Sequence, residues 1–231
     1  ATMARMTRTS DTLTAMYDAM VQRFGRQDWW PGDGPLEVCV GAILTQNTNW
    51  TNVQKAIANL KAAGVMGVAA MDGLDVASLA ELIRPAGYYN RKAGRLKNFL
   101  RAVAAEWGGD LAAFLDRPVP ALREDLLAIN GIGRETADSI ILYAAGKPTF
   151  VVDAYTARIG VRHRLFDAES DYDAIKEVFE SALPDRAELF NDYHAQLVTV
   201  GKTFCRPRNP KCDACPLNAF PHDVEDVWEE W

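Results

Sequence analysis

The segment LREDLLAINGIGRETADSIILYAAG, residues 122–146, has apolar residues at helical spacing on both sides of a Gly-Ile-Gly turn. This pattern predicts two helices joined by a tight hairpin, with the second helix beginning near Arg134. Gly131 and Gly133 allow positive φ angles and let the backbone come close to a partner. Ile132 between them is expected to pack into the hairpin and fix its shape.

The start of this second helix is a predicted anion site. Its first backbone N–H groups have no acceptor within the helix, and the helix dipole favours negative charge there. A DNA phosphate is one such anion. On the turn alone, a plain corner between two helices is an equally good interpretation, because Gly-x-Gly is common at helix boundaries.

The next stretch, KPTFVVDAYTARIG at 147–160, contains an apolar run that ends in a single acid, Asp153. A carboxylate flanked by Val151, Val152 and Tyr155 is unlike an ordinary solvated charge, so Asp153 is a candidate functional residue. Asp153 is also a good N-cap for a helix that runs through Thr156. The two roles are compatible.

The rest of the chain shows the same helical spacing of apolar residues, and strand-like alternation is nearly absent. Glycine and proline divide it into about ten short helices. There is no repeat, low-complexity segment or long linker. The expected fold class is all-α.

Composition and charge give a mixed indication of the partner. The 231 residues are 48% hydrophobic, with no apolar run of membrane-spanning length and no signal-peptide core, so we expect an intracellular, cytoplasmic protein. The net charge of −6 argues against a nucleic-acid partner, although the acids concentrate at 167–188 and 223–230. A basic stretch is expected to face phosphate: Arg84, Arg91, Lys92, Arg95, Lys97 and Arg101.

The four cysteines fall into two groups. Cys39 stands alone, whereas Cys205, Cys212 and Cys215 lie close together. In an intracellular protein this spacing indicates a metal or cluster site rather than disulfides.

Together, five segments resemble the helix-hairpin-helix DNA glycosylases of the endonuclease III superfamily: ILTQNT at 43–48, GYYNRKA at 87–93, NGIGRETA at 130–137, VVDAYTARI at 151–159 and the C-terminal cysteines. The resemblance implies a two-lobed fold. One lobe, 35–147, is a six-helix barrel that holds the hairpin at 122–146. The other joins 1–34 to 148–231 and carries a cysteine-rich loop at 205–223. The resemblance further implies a cleft between the lobes into which a damaged nucleotide is flipped.

The resemblance assigns catalysis to Asp153 and makes Glu135 informative. In bifunctional members a lysine at this position attacks the sugar C1′ and forms a Schiff base. Glu135 cannot form an imine, so a monofunctional glycosylase without that lyase step is expected. Glu135 is also neither the serine nor the tyrosine of the adenine- and thymine-mismatch branches.

The expected lesion pocket contains Trp29, Trp30, Pro31, Trp50, Glu135 and Lys202. This arrangement is similar to the 3-methyladenine DNA glycosylases of endonuclease III type. An electron-deficient alkylpurine would stack on the aromatic faces with a cation–π component. The alternative for the tryptophans is packing in the core. The alternative for Lys202 is an ordinary surface position or a contact with phosphate.

The resemblance also implies how the chain holds double-stranded DNA. Gly131, Ile132, Gly133 and Arg134 form the hairpin contact, with a monovalent cation at the turn as a further expectation. Gln46 matches the glutamine inserted toward the vacated base, and Tyr88 matches a wedge residue. As alternatives, Gln46 caps a helix with its side-chain amide and Tyr88 is an ordinary packed tyrosine. The enzyme is expected to act as a monomer associated with the nucleoid.

The cysteine loop departs from the family pattern C-x6-C-x2-C-x5-C. Cys205, Cys212 and Cys215 occupy the first three positions, but Pro221 stands at the fourth. The resemblance favours a structural 4Fe–4S cluster. His222, one residue beyond Pro221, could reach inward as the fourth ligand, and Asp223 is a weaker candidate. A Cys3His zinc site, an open iron position and a site without metal remain alternatives. Arg206, Arg208 and Lys211 are expected to add a phosphate contact.

The sequence therefore predicts a monofunctional glycosylase for alkylated purines, 3-methyladenine foremost. Excision of oxidised pyrimidines is the enzymatic alternative. A non-catalytic DNA-binding relative, favoured by the net charge of −6 and opposed by the intact Asp153, is the alternative from another class.

Overall fold

The computed structural model describes residues 2–27, 29 and 32–224, with side chains described from residue 9 onward. Within these residues every regular element is a helix and none is a strand, which confirms the all-α prediction. The α-helices are α1 (Thr2–Phe24), α2 (Pro35–Leu44), α3 (Trp50–Ala62), α4 (Val68–Gly73), α5 (Val76–Leu82), α6 (Tyr89–Trp107), α7 (Leu111–Leu115), α8 (Val119–Ala128), α9 (Arg134–Ser139), α10 (Ala154–Arg162), α11 (Tyr172–Ala182) and α12 (Ala187–Thr203). Short 3-10 turns lie at Arg84–Ala86 and Cys212–Ala214, and α9 continues into a π-helical turn at Ile140–Ala144.

The chain divides into two compact units. We call Trp30–Lys147 the hairpin unit, and Ala1–Trp29 together with Pro148–Trp231 the Asp153 unit. None of the described helices is long and apolar enough to cross a membrane.

The hairpin unit is built around α2. Seven consecutive residues of this helix, from Val38 to Leu44, are buried, so α2 is apolar all round as a central helix should be. Side chains of α3, α6 and α8 complete the core around it, including Leu60, Phe99 and Leu126. This packing holds the ends of α2, α6 and α8, where the candidate DNA-binding residues lie.

The Asp153 unit has an aromatic core. The Phe150 and Phe179 rings stack with their centroids 4.1 Å apart, and Phe190 and Tyr193 meet Phe150 edge-on. The Tyr193 hydroxyl donates to the Leu13 carbonyl at 2.9 Å, which ties α12 to α1. On α1, the apolar residues Leu13, Met16 and Met20 recur at helical spacing and are buried, so this helix packs one face into the unit.

Helices α10 and α12 approach closely within the Asp153 unit. A Cβ atom on Gly201 would lie 2.3 Å from Cδ1 of Tyr155, well inside van der Waals contact. The Tyr155 ring therefore lies directly on the backbone of α12 at Gly201. This close approach places the start of α10, where Asp153 lies, beside the buried middle of α12.

Candidate active site

The hairpin has the predicted local structure, because α8 ends at Ala128 and α9 begins at Arg134. The Ile132 side chain is buried in the core, and its N–H donates to the Ile129 carbonyl at 3.0 Å. Ile132 therefore shapes the turn. The backbone N–H groups that α9 cannot satisfy internally belong to its first turn, which Gly133 precedes as the N-cap without a side-chain cap.

Gly131 is the position in this turn that requires glycine. Its φ is +97°, and a Cβ there would lie 2.3 Å from Cγ of Arg95. Gly133 has a φ of −92° and open space around it. The two glycines of the motif thus have different physical roles, because only Gly131 is constrained by both backbone conformation and packing.

Gln46 is bound to the hairpin. Its Nε2 donates to Thr136 Oγ1 at 2.9 Å and to the Gly131 carbonyl at 3.3 Å, and the Arg95 guanidinium donates to its Oε1. This network fixes the segment that follows α2 against the turn. Insertion of Gln46 toward a vacated base, as the resemblance implies, would require these hydrogen bonds to break, and that role stays a prediction.

Tyr88 is an exposed aromatic residue on a strained backbone. Its side chain is 66% exposed and its φ is +45°, in the left-handed region that non-glycine residues rarely adopt. Asn47, next to Gln46, has a φ of +53°. Strain of this kind costs energy that the surrounding fold must offset, and it concentrates at functional positions. An exposed ring held in this way suits the predicted wedge role.

The prediction that the basic stretch of α6 faces phosphate is wrong for its central members. Lys92 and Lys97 are buried, and each ammonium group donates to two backbone carbonyls, those of Leu44 and Ala86 for Lys92. Burial lowers the pKa of Lys92 to about 8. These two lysines bind carbonyls at the ends of helical segments within the hairpin unit, and Arg95 donates to Gln46.

Asp153 is the N-cap of α10. One carboxylate oxygen, Oδ1, accepts from the Thr156 N–H at 2.7 Å and from its hydroxyl at 2.9 Å. The side chain is only 14% exposed. Asp153 therefore does cap α10, as the sequence indicated, and the cap uses only one of its two carboxylate oxygens.

The other oxygen faces a histidine that the sequence analysis did not single out. His194 Nε2, on α12, lies 3.5 Å from Asp153 Oδ2, and the histidine side chain is 7% exposed. Burial by itself would raise the pKa of Asp153, but the hydrogen bonding and charge of His194, together with the Thr156 donors, more than offset it and hold this pKa below its usual value. Asp153 is therefore a buried, ionised carboxylate at neutral pH. The sequence did offer one indication of this contact, because His194 is the only histidine in the apolar stretch that forms α12.

The predicted pocket residues fall in both units. Trp29 and Lys202 belong to the Asp153 unit, where the Lys202 ammonium lies 5.7 Å from the Trp29 ring centroid. Trp50 and Glu135 belong to the hairpin unit. Trp50 is partly buried against the core, and Glu135 is exposed in the first turn of α9. Trp30 and Pro31 lie outside the described residues.

The three clustered cysteines line one cavity. This cavity is partly open to solvent and is bounded by Cys205, Cys212 and Cys215 together with apolar side chains of α12 and the loop. Among the described residues, no three His, Cys, Asp or Glu side chains meet at the spacing of a single metal ion. The buried Arg162 donates to Cys205 Sγ at 3.3 Å, so a positive charge faces the first thiol.

Two histidines complete the wall of this cavity, His222 and, unforeseen from the sequence, His163. Their ring centroids are 5.4 Å apart. His163 Nδ1 is 3.1 Å from the Pro221 carbonyl, and His222 Nδ1 is 2.8 Å from the Phe220 carbonyl. Burial lowers the pKa of His163 to about 4. The donor set of three thiols and two imidazoles suits an iron–sulfur cluster, which thiolates hold and histidine can ligate.

Comparison with known protein families matches residues 40–185 to the HhH-GPD superfamily of base excision DNA repair proteins. Residues 205–220 match the iron–sulfur binding domain of endonuclease III. The chain therefore belongs to the HhH-GPD superfamily, and within it to the DNA glycosylases of the endonuclease III superfamily.

Two relatives and two solved structures illustrate the similarity. The chain is 46% identical over 206 residues to a Methanocaldococcus jannaschii protein assigned as a DNA repair glycosylase, covering 89% of this chain and 93% of that one. It is 27% identical over 202 residues to endonuclease III of Thermotoga maritima, covering 86% of each chain.

The H. pylori 3-methyladenine DNA glycosylase bound to 1,N6-ethenoadenine superposes with a TM-score of 0.71 at 27% identity, covering 84% of this chain and 97% of that one. A non-covalent complex of endonuclease III with DNA superposes with a TM-score of 0.78 at 20% identity, covering 92% and 94%, and at that identity it supports the fold alone. These findings confirm the predicted family and fold. The individual site residues and the monovalent cation at the hairpin stay predictions.

Proposed function

We propose that this chain is a monofunctional DNA glycosylase that removes alkylated purines, 3-methyladenine foremost, and leaves an abasic site. The observation that carries the proposal is the Asp153 carboxylate, which is buried, ionised and bound on one oxygen by the helix it caps. Such a group supplies fixed negative charge in a site of low dielectric constant, where positive charge on a reacting sugar is strongly stabilised.

Asp153 acts in hydrolysis of the N-glycosidic bond. The base departs with the electron pair of that bond, and the sugar develops oxocarbenium character opposite the carboxylate. A water oxygen then bonds to C1′, and the proton that the water loses passes to the carboxylate or to solvent. Asp153 stabilises the charged sugar and positions the water, while Thr156 keeps the carboxylate oriented.

Glu135 supports the monofunctional mode. A lyase of the Schiff-base type needs a neutral amine that attacks C1′. The side chain at the second position of α9 is a carboxylate, which has no nitrogen with which to form an imine. We propose that the reaction ends at the abasic site with the DNA strand intact.

The choice of an alkylated purine rests on leaving-group chemistry and on similarity. A purine alkylated at N3 or N7 carries positive charge, so it leaves without a strong general acid, which suits a site built on one carboxylate. The H. pylori 3-methyladenine glycosylase is 27% identical to this chain. Trp29 offers an aromatic face that would favour an electron-deficient base.

A second candidate substrate is an oxidised, uncharged pyrimidine. One observation favours it: the Lys202 ammonium already lies 5.7 Å from the centroid of the Trp29 ring. A cation held over this face would repel a cationic alkylpurine and tolerate a neutral base. Relatives named endonuclease III, such as that of Thermotoga maritima, are 27% identical to this chain.

We further propose that the cysteine loop holds a 4Fe–4S cluster with a structural role and contributes to DNA binding. Cys205, Cys212 and Cys215 would hold it, and the cluster would lock the loop onto the end of α12. The loop would then bind DNA phosphate through three exposed basic side chains: Arg206, Arg208 and Lys211. With the first turn of α9 as a second phosphate site, we propose that one monomer binds double-stranded DNA.

One assay separates these proposals. Duplexes carrying 3-methyladenine, thymine glycol or no lesion are incubated with the protein, base release is measured, and strands are analysed before and after alkali. We expect release of 3-methyladenine and strand breaks only after alkali. Breaks before alkali contradict the monofunctional mode, and release from thymine glycol alone favours the second candidate. Binding of duplex without release from any lesion would leave a non-catalytic DNA-binding relative.

A further inference from the structure

The fourth position of the cysteine loop has no thiol in this chain. Pro221 stands there, and the similarity to the iron–sulfur binding domain of endonuclease III extends only over residues 205–220. We propose that His222 is the fourth protein ligand of the cluster and binds one iron through Nε2. This inference rests on the cofactor part of the proposed function and adds the ligand that replaces the missing cysteine.

The orientation of the His222 ring supports ligation. The ring lines the same cavity as the three thiols, and its Nδ1 lies 2.8 Å from the Phe220 carbonyl. A carbonyl oxygen can only accept, so in the neutral ring this contact places the proton on Nδ1 and leaves the lone pair of Nε2 for a metal. Metal-binding histidines commonly have this arrangement, in which the second ring nitrogen donates to a backbone carbonyl and fixes both tautomer and orientation.

The chain around His222 is fastened to the end of α10. The Asp223 N–H donates to the Arg162 carbonyl at 2.8 Å, and the Arg164 guanidinium binds both Asp223 carboxylate oxygens at 2.7 and 2.6 Å. Arg162 itself donates to Cys205 Sγ. The end of α10 therefore holds both the first cysteine and the segment that carries His222.

His163 is the competing imidazole, and its contacts indicate a positioning role. It belongs to the C-terminal end of α10, where its N–H donates to the Ile159 carbonyl at 3.0 Å. Its Nδ1 lies 3.1 Å from the carbonyl of Pro221, the residue directly before His222. His163 thus holds the segment that presents the ligand, and it provides a matched control because both rings line one cavity.

The test compares the purified full-length protein with His222→Ala, His222→Cys and His163→Ala. Each is analysed for iron, sulfide and zinc, for its visible and EPR spectra, and for its midpoint potential. Pulsed EPR on the reduced, paramagnetic cluster of protein containing 15N-histidine detects a nitrogen bound to iron. We expect this nitrogen coupling in the wild type and in His163→Ala and its loss in both His222 variants. We expect His222→Cys to keep full iron content at a lower potential, because replacing histidine by cysteine lowers cluster potentials.

Other outcomes overturn the inference. Nitrogen coupling that survives in His222→Ala and disappears in His163→Ala would make His163 the ligand. A wild-type cluster without nitrogen coupling would exclude both histidines while leaving the cluster itself intact. Zinc in place of iron would instead refute the cofactor part of the proposed function, and base release by the same preparations would show separately whether the glycosylase part stands.

Discussion

Nε2 of His194 lies 3.5 Å from Oδ2 of Asp153, and both side chains are largely buried, at 7% and 14% exposure. The aspartate caps α10, whereas the histidine comes from the middle of α12, so the pair joins two helices of the Asp153 unit. The remaining carboxylate oxygen is taken by Thr156. These contacts hold the pKa of Asp153 below its usual value despite burial, which alone would raise it.

The pair predicts a pH dependence of base release. Catalysis needs Asp153 ionised, so activity should fall only as the pH drops through the lowered pKa of this group. His194→Gln keeps an amide donor but removes the imidazole. We expect the acid limb of kcat/KM to move up by about 1 pH unit in this variant, since loss of a partner that favours the ionised carboxylate shifts its pKa by about this amount. A lower rate with the limb unchanged would show that His194 only supports the fold.

The lowered pKa of Asp153 also makes the stability of the fold depend on pH. The folded pKa of Asp153 lies below its unfolded value, so the ionised carboxylate stabilises the fold above the unfolded pKa, near 3.8. That contribution is lost as the pH falls through the folded pKa. Thermal unfolding of wild type and His194→Gln between neutral and acid pH should therefore converge at the lowest pH values. A constant difference in Tm at every pH would contradict this linkage.

Asp153→Asn and Asp153→Ala separate capping from catalysis. Asparagine is as good an N-cap as aspartate, so its amide oxygen can still accept from the Thr156 N–H. We expect Asp153→Asn to keep most of the thermal stability while base release falls at least about a hundredfold. Asp153→Ala should lose the same activity and about 1 kcal/mol of stability. Full base release by Asp153→Asn would show that the Asp153 carboxylate is not needed for catalysis.

Glu135→Lys tests why the chain lacks lyase chemistry. Wild type should give no covalent complex with DNA when borohydride is added, because no imine forms. Glu135→Lys supplies an amine at the second position of α9, and we expect a borohydride-trapped complex with lesion-containing duplex. Glu135→Gln removes the charge without adding an amine and should trap nothing. Trapping by the wild type would mean that another residue acts as the nucleophile.

Gly131→Ala should weaken the hairpin. A Cβ at this position meets Arg95 Cγ at 2.3 Å, and the φ of +97° is unfavourable for alanine. We expect a loss on the order of 1–3 kcal/mol in unfolding free energy and weaker binding of undamaged duplex. Gly133→Ala is the matched control, because its φ is −92° and nothing lies within 4 Å of the added atom. Equal effects of the two substitutions would show that packing on Arg95 does not matter.

Lys202→Met tests the lesion preference. If the substrate is a cationic alkylpurine, removal of the ammonium from the Trp29 face should raise kcat/KM for 3-methyladenine several-fold. Lys202→Arg keeps the charge and should resemble the wild type. A fall in kcat/KM for thymine glycol, without any gain for 3-methyladenine, would favour the neutral pyrimidine instead.

The sequence by itself determined the features that depend on neighbours along the chain. The hairpin turn follows from the Gly-Ile-Gly spacing, because a positive φ at Gly131 and a helix start after Gly133 are local backbone properties. The spacing of Cys205, Cys212 and Cys215 indicates their shared site in the same way. The resemblance carried by these segments also identified the family, which the comparisons confirmed.

Only the tertiary structure decided which side chains from distant segments meet. Periodicity indicates that a face of α12 is buried, but it does not say that His194 on that face lies against the Asp153 carboxylate. Nor does it show that Lys92 turns inward to two carbonyls, or that His163 lies beside His222. The physical reason is that a hydrogen bond or ion pair between helices depends on where whole helices cross. That crossing is set by the packing of many apolar side chains, such as Tyr155 against Gly201, rather than by the local sequence of either partner.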